Sequence, residues 1–185
     1  KLIIDPNNNN IFYATTQGAT EYTDKVGDGA GVFKSTDRGN NWTQINNGLD
    51  SLETNILTVD PNDSETLYLG TDDDGVYKST DGGESWKKLT VSSLSKSFGV
   101  GDIIVDPQNS NNIYIGTVDY FRLSESRGVL GDFGVYKSTD GGATWEEFNV
   151  GLNHLGVFSL ELSEENRILY AGTRAGGVYW ISLDN

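Results

Sequence analysis

Three consecutive carboxylates, Asp72-Asp73-Asp74, are the residues of this chain whose types point most directly to chemistry. Carboxylate oxygens are preferred ligands of Ca²⁺, so Asp72 and Asp74 are candidate ligands for that ion. Successive side chains of an extended segment point to opposite sides. The alternative is therefore an acidic turn exposed to solvent, because the spaced ligands of an EF-hand loop are absent. Apart from this calcium hypothesis, the sequence predicts no cofactor.

A second set of candidates combines aromatic rings with charged or polar side chains. Such combinations suit sugar rings or the anchor side chains of a protein partner. The set contains Tyr22, Tyr120, Phe121, Arg122, Arg174 and the only histidine, His154. The alternative is that the segments around the aromatic residues are flaps that pack on neighbouring elements. For His154 the alternative is an ordinary surface residue, because no partner group is fixed by its spacing.

A repeated motif, S-x-D-x-G-x-x-W, belongs to the elements that must position these candidates. Its glycine supplies the positive φ of a tight turn, and its aspartate accepts hydrogen bonds from backbone N–H groups of the same turn. Its tryptophan is an apolar plate that locks the turn against a sheet. Copies at equivalent positions around a ring do not converge on one substrate, so a structural role is favoured over catalysis. The copies contain Ser35, Asp37, Gly39 and Trp42, then Ser79, Asp81, Gly83 and Trp86, and finally Ser138, Asp140, Gly142 and Trp145.

Each motif closes a longer unit, and four such units align along the chain. Their segments are short, rich in Val, Ile, Tyr and Thr, and bounded by Asn, Asp, Gly and Pro, which is typical of strands and turns. The repeat lies near the roughly 40 to 50 residues of a propeller blade. The sequence therefore predicts an all-β fold, a β-propeller of four-stranded antiparallel blades. We place the blades at approximately 1–48, 49–94, 95–152 and 153–185.

The motif resembles the Asp-box of the BNR-repeat β-propellers, which include sialidases, xyloglucan hydrolases, sortilin-type receptors and photosystem II assembly propellers. This resemblance implies the fold more firmly than a function. The segment Thr71-Asp72-Asp73-Asp74-Gly75 also looks like the Thr-Asp-x-Gly-Gly segment of the xyloglucan hydrolases, whose aspartate is catalytic. That role carries over to Asp72 alone, because Asp74 replaces the first of the two glycines. The arginine clamp and Phe/Tyr-Arg-Ile-Pro motif of the sialidases have no counterpart.

The strand order of a four-stranded blade assigns every connection to one side of the disc. If the strands are called A to D, the A–B and C–D turns lie on one side and the B–C and D–A connections on the other. The A–B turns are short and uniform here, whereas the B–C loops over 17–30 and 118–133 are long. Binding residues concentrate on variable loops of a rigid frame. We therefore expect function on the side of the B–C loops.

The net charge of −14 argues against nucleic acid and anionic membranes as partners, because their phosphates would be repelled. Cysteine is absent, which excludes disulfides and thiolate metal sites. No apolar run is long enough to insert into a membrane. The abundance of Asn, Asp, Thr, Ser and Gly is typical of exported proteins, so we expect an extracellular or cell-surface location.

The fourth unit reaches its third strand without an Asp-box, and four blades are few for a propeller ring. We expect either further blades of a larger protein or a second copy of this chain to complete the ring. For function we predict a non-catalytic extracellular platform for recognition of a protein or a glycan. The alternative is a piece of a propeller glycoside hydrolase of the xyloglucanase type.

Overall fold

The computed structural model describes residues 1–17, 29–94, 98–119 and 133–184. Four predicted binding residues, Tyr22, Tyr120, Phe121 and Arg122, lie outside these ranges. Within them the chain contains fifteen β-strands and no helix, so no described helix is long and apolar enough to cross a membrane. The predicted all-β fold class is confirmed.

The strands form four antiparallel sheets that follow one another along the chain. The first sheet contains β1 (Leu2–Asp5), β2 (Asn8–Thr15), β3 (Val32–Ser35) and β4 (Thr43–Gln44), and the second contains β5 (Thr54–Asp60), β6 (Asp63–Thr71), β7 (Val76–Ser79) and β8 (Lys87–Lys88). The third contains β9 (Gly99–Val105), β10 (Ile113–Val118), β11 (Val135–Ser138) and β12 (Glu146–Glu147), and the fourth contains β13 (Val157–Ser163), β14 (Ile168–Thr173) and β15 (Gly177–Ser182). In every sheet the strands pair in chain order, as in a propeller blade. The exact blade boundaries given above stay predictions.

The hydrophobic core lies between consecutive sheets. One buried cluster joins Tyr13 and Val32 of the first sheet to Leu57 and Trp86 of the second. Equivalent clusters join the second sheet to the third and the third to the fourth. Because the first strands β5, β9 and β13 also contact one another in order, the sheets fan about a common axis with these strands innermost.

The Asp-box turns fold through hydrogen bonds of their own side chains. Asp81 Oδ1 accepts the Ser85 N–H at 2.9 Å and the Ser79 hydroxyl at 2.7 Å, and Ser79 Oγ accepts the Gly83 N–H at 2.9 Å. The turns at Asp37 and Asp140 repeat this scheme. Hydrogen bonds to the ionised carboxylate lower the pKa of Asp81 and of Asp140 to about 2. The three carboxylates are thus engaged in their own turns.

The three Asp-box tryptophans differ in burial. Trp86 is 5% exposed and Trp145 is 7% exposed, and each packs against the preceding sheet. Trp42 is 39% exposed, because no preceding sheet covers the first blade within the described chain. The Trp42 indole still donates from Nε1 to the Gly39 carbonyl of its own turn at 3.1 Å, and the structural role expected of it stays a prediction. Trp86 and Trp145 are thus buried in clusters that combine residues of the preceding blade with residues of their own blade.

Candidate functional site

A cavity of about 300 Å³ lies where the innermost strands of the four sheets begin. Its lining comes from equivalent places in the repeat, namely Lys1, Asn55 with Ile56, Gly101 with Asp102, and Phe158 with Ser159, together with Gln17 after β2. These positions lie at the ends of the strands opposite the Asp-box turns. The cavity therefore opens on the side of the B–C and D–A connections, and its volume is within the range of small-ligand pockets.

The carboxylate of Asp102 is one polar wall of this cavity. Its Oδ1 accepts the backbone N–H of Ile103 and its Oδ2 accepts that of Leu160, both at 2.9 Å, so the side chain ties the third sheet to the fourth. Burial raises the pKa of Asp102 above its ordinary value, although the Leu160 N–H lowers it in part. The cavity thus contains an oriented acceptor held by backbone groups.

Phe158 supplies an aromatic surface to the lining of the same cavity. It is 38% exposed, and the guanidinium carbon of Arg174 lies 5.2 Å from the centre of its ring. Arg174 is fixed in turn by a hydrogen bond of 2.9 Å from Nη2 to the carbonyl of Asp119. An aromatic face beside amide and carboxylate groups is the composition that binds a pyranose ring, since the ring offers both apolar C–H faces and hydroxyls.

Asp72 adjoins the cavity through Gln17. The Gln17 amide donates to Asp72 Oδ1 at 3.0 Å and to Oδ2 at 3.1 Å, and it also approaches Asn55 Oδ1 at 3.3 Å. Burial raises the pKa of Asp72 to about 6, the Gln17 hydrogen bond lowers it in part, and nearby Glu53 raises it further. Asp72 is therefore buried, and the expectation of a turn exposed to solvent is wrong at this residue because Gln17 covers it.

The three consecutive aspartates do not converge. Asp72 is engaged by Gln17, Asp73 accepts the Ser51 hydroxyl at 3.3 Å, and Asp74 contacts the Tyr77 hydroxyl and the Lys88 ammonium. Among the described residues no group of three or more His, Cys, Asp or Glu side chains is placed to hold a metal ion. Calcium binding at Asp72 and Asp74 stays a prediction, and the geometry supplies no ligand set for it.

The predicted binding residues are only partly brought together. Arg174 contacts Phe158 of the cavity wall. His154 is exposed, packs against Gly176 and does not line the cavity. Gln17, Asn55, Asp102 and Phe158 were not singled out as site residues by the sequence. The repeat itself could have indicated three of them, because Asn55, Asp102 and Phe158 lie near the beginning of the first strand of their blades.

Comparison with known proteins places the chain among propellers. Residues 30–179 match the model of the Sortilin-Vps10 family, described as sortilin, neurotensin receptor 3. Xyloglucanase Xgh74A of Acetivibrio thermocellus is 36% identical over 96 residues, which is 47% of this chain. The GH74 enzyme of Niastella koreensis superposes with a TM-score of 0.72 at 27% identity over 99% of this chain, and an ancestral GH74 enzyme with a TM-score of 0.76 at 24% identity over 97%.

The chain is much shorter than these relatives. It spans 11% of the Acetivibrio xyloglucanase, 28% of the Niastella enzyme and 22% of the ancestral enzyme. The likeness to the ancestral enzyme shows the fold alone. The matched xyloglucanase and the Niastella structure relate this propeller fold to GH74 enzymes.

Proposed function

This chain belongs to the Sortilin-Vps10 family, and we propose that it recognises a β-glucan of the xyloglucan class at the cavity bordered by Asn55, Asp102 and Phe158. The observation that carries the proposal is the exposed ring of Phe158 beside the amide of Asn55 and the carboxylate of Asp102. A sugar ring stacked on Phe158 has acceptors and donors for its hydroxyls within the same cavity. The similarity to a xyloglucanase favours xyloglucan among the β-glucans.

Electrostatics support a neutral ligand over an anionic one. The chain has a net charge of −14, and two of its carboxyl groups lie at this place, the half-buried Asp102 in the cavity lining and the buried Asp72 beside it. An acidic polysaccharide would be repelled, whereas a neutral glucan pays no such cost. Recognition of a polysaccharide also agrees with the exported location expected from composition. A protein partner at this face remains an outcome of the test.

Titration with a panel of oligosaccharides tests the proposal. Xyloglucan oligosaccharides are expected to bind saturably, cello-oligosaccharides more weakly, and acidic polygalacturonate not at all. Calorimetry on the 185-residue chain gives the affinities directly. If no neutral β-glucan binds saturably, the proposal is overturned. Binding to a protein alone would overturn it too, and would indicate that the cavity recognises a protein.

A second candidate function, glycoside hydrolysis with Asp72 as general acid, is favoured by one observation. Burial raises the pKa of Asp72 to about 6, and a general acid must be protonated near the working pH. Hydrolysis also needs a second carboxyl group across the scissile bond, and Asp102 is the carboxylate in the cavity lining. Release of reducing ends from xyloglucan, lost in Asp72→Asn, would support this function. Tight binding of xyloglucan without release of reducing ends would support recognition and count against hydrolysis.

A further inference from the structure

We propose that Arg174 is a positioning residue of the glucan cavity, which holds the ring of Phe158 with one face toward the bound sugar. The inference rests on the proposed function, because it concerns the same cavity. Arg174 lies in the turn between β14 and β15, whereas Phe158 lies in β13. The two residues are therefore brought together by the folding of the fourth sheet.

The backbone at Phe158 departs from the regular strand. The register between β13 and β14 shifts between Val157 and Ser159, which marks a β-bulge at Phe158. Bulges redirect a side chain and are common beside functional sites. The second sheet has an equivalent bulge at Asn55, which also lines the cavity. The direction of the Phe158 ring is therefore not set by the alternation of a regular strand, and contacts of the side chain must fix it.

Arg174 is itself held in place at both its backbone and its side chain. Its backbone N–H donates to the carbonyl of Gly156 at 2.8 Å. Its Nη2 donates at 2.9 Å to the carbonyl of Asp119, which directly follows β10 of the third sheet. Its Cζ lies 5.2 Å from the centre of the Phe158 ring, within the reach of about 6 Å of a cation–π contact. Arg174 thus connects the ring of Phe158 to the third sheet.

The ring of Phe158 contacts Arg174 and is also part of the cavity lining. The described residues that line the cavity include Phe158 but not Arg174. A planar guanidinium stacks on the face of an aromatic ring, so Arg174 covers the ring from outside the cavity. The ring is still 38% exposed. The arrangement leaves the other face for a sugar ring, which needs a single aromatic face for stacking.

A ring that is already fixed binds a sugar more tightly than a ring that must first be ordered. An exposed side chain samples several rotamers, and a ligand that stacks on it loses binding free energy through the ordering of that side chain. Arg174 restricts the ring of Phe158 before the ligand arrives. Arg174→Met keeps an unbranched side chain without the cation, and it should weaken xyloglucan binding about two- to fivefold.

A double-mutant cycle tests whether Arg174 acts through Phe158. A xyloglucan oligosaccharide is titrated by calorimetry into the parent, Arg174→Met, Phe158→Ala and the double variant. If Arg174 acts through the ring, Arg174→Met has no further effect once Phe158 is alanine. Additive losses would show that Arg174 contacts the glucan itself. Arg38→Met is the matched control, because Arg38 donates to Asn10 Oδ1 on the Asp-box side and its loss removes the same charge. Equal losses in the two arginine variants would overturn the proposal.

The mobility of the Phe158 ring in the ligand-free protein gives an independent measurement. NMR relaxation of a ¹³C-labelled Phe158 ring should show greater mobility in Arg174→Met than in the parent, and no change in Arg38→Met. Equal mobility in the parent and in Arg174→Met would overturn the positioning role, whether or not a glucan binds. Greater mobility in Arg174→Met, in a protein whose parent binds no glucan, would support the positioning of the ring and overturn only the proposed ligand.

Discussion

Gln17 and Asp72 join the first two sheets beside the central cavity, through hydrogen bonds from one amide nitrogen to both carboxylate oxygens at 3.0 and 3.1 Å. Because Gln17 lines the cavity and Asp72 is buried behind it, the contact connects a ligand-facing group to a carboxyl whose pKa is already raised. A ligand that draws the Gln17 amide away would remove a hydrogen bond that stabilises the ionised acid.

The first prediction concerns the protonation of Asp72. Replacement of Gln17 by Leu should raise the pKa of Asp72 above its value of about 6, since the Gln17 hydrogen bond lowers it. Titration of the Asp72 side-chain carboxyl by NMR measures the change. Gln44→Leu is the matched control, because the Gln44 amide donates to the Ala30 carbonyl instead. An unchanged or lowered pKa in the Gln17 variant would show that the Gln17 amide does not stabilise the ionised form of Asp72.

The second prediction concerns stability and pH. The pKa of Asp72 rises from 3.8 to about 6 on folding, so the folded state binds more protons between these values and this group destabilises the fold as pH increases. Asp72→Asn should therefore be more stable than the parent at pH 7, by about 1 to 2 kcal/mol after allowance for solvent screening. The advantage should vanish below pH 4. Urea unfolding at both pH values is the measurement, and a variant less stable than the parent at pH 7 would count against the burial effect.

The third prediction compares two tryptophans of the same motif. Trp86→Ala should lower the free energy of unfolding by roughly 3 to 5 kcal/mol, because it opens a cavity between the first two sheets. Trp42→Ala removes an indole that is 39% exposed and should cost much less. Equilibrium unfolding of both variants checks the difference. Equal losses would mean that the preceding blade does not bury the motif tryptophan.

The fourth prediction concerns the contact between Asp106 and Arg167. Asp106 is fully buried and accepts hydrogen bonds from both terminal nitrogens of Arg167, at 3.0 and 2.6 Å. Burial alone would raise the pKa of Asp106, but Arg167, the Gln108 N–H and the Asn112 side-chain amide lower it overall. Arg167→Met should therefore cost roughly 1 to 3 kcal/mol at pH 7.

The cost of Arg167→Met should shrink as pH falls toward 3, because a protonated Asp106 needs no cation. This follows because an acid with a lowered pKa stabilises the fold above its unfolded pKa and loses that effect as pH falls. The double variant Asp106→Asn, Arg167→Met should recover part of the loss at pH 7. Chemical unfolding at pH 3 and pH 7 measures both effects, and a loss independent of pH would argue for packing alone.

The repeat made the fold predictable, whereas the site was only partly so. Blades are predicted by the spacing of Asp37, Asp81 and Asp140 and by the periodic glycines, because the residue types that form a tight turn can be recognised from the sequence alone. The cavity depends on side chains that meet only when sheets pack, such as Phe158 beside Arg174 and Gln17 beside Asp72. A single sequence without that packing pointed instead to loop residues, and Tyr22 and Tyr120 among them lie outside the described structure.

The burial of Asp72 illustrates the same limit. The acidic neighbours of Asp72 suggest a solvated turn. Asp72 directly follows the end of β6 at Thr71, however, and its side chain is buried and accepts a hydrogen bond from Gln17 of the preceding blade. Contacts between blades have no local signal in the sequence. They decide which carboxylate acquires a raised pKa.

Binding of a neutral β-glucan against Phe158 can be measured as the affinity of a xyloglucan oligosaccharide for matched aromatic variants. We predict that Phe158→Ala weakens binding at least tenfold, because it removes the stacking face of the cavity, while Trp42→Ala, an exposed indole on the opposite side, leaves the affinity unchanged. Equal affinity of the parent and the Phe158→Ala protein would show that the glucan does not stack on Phe158.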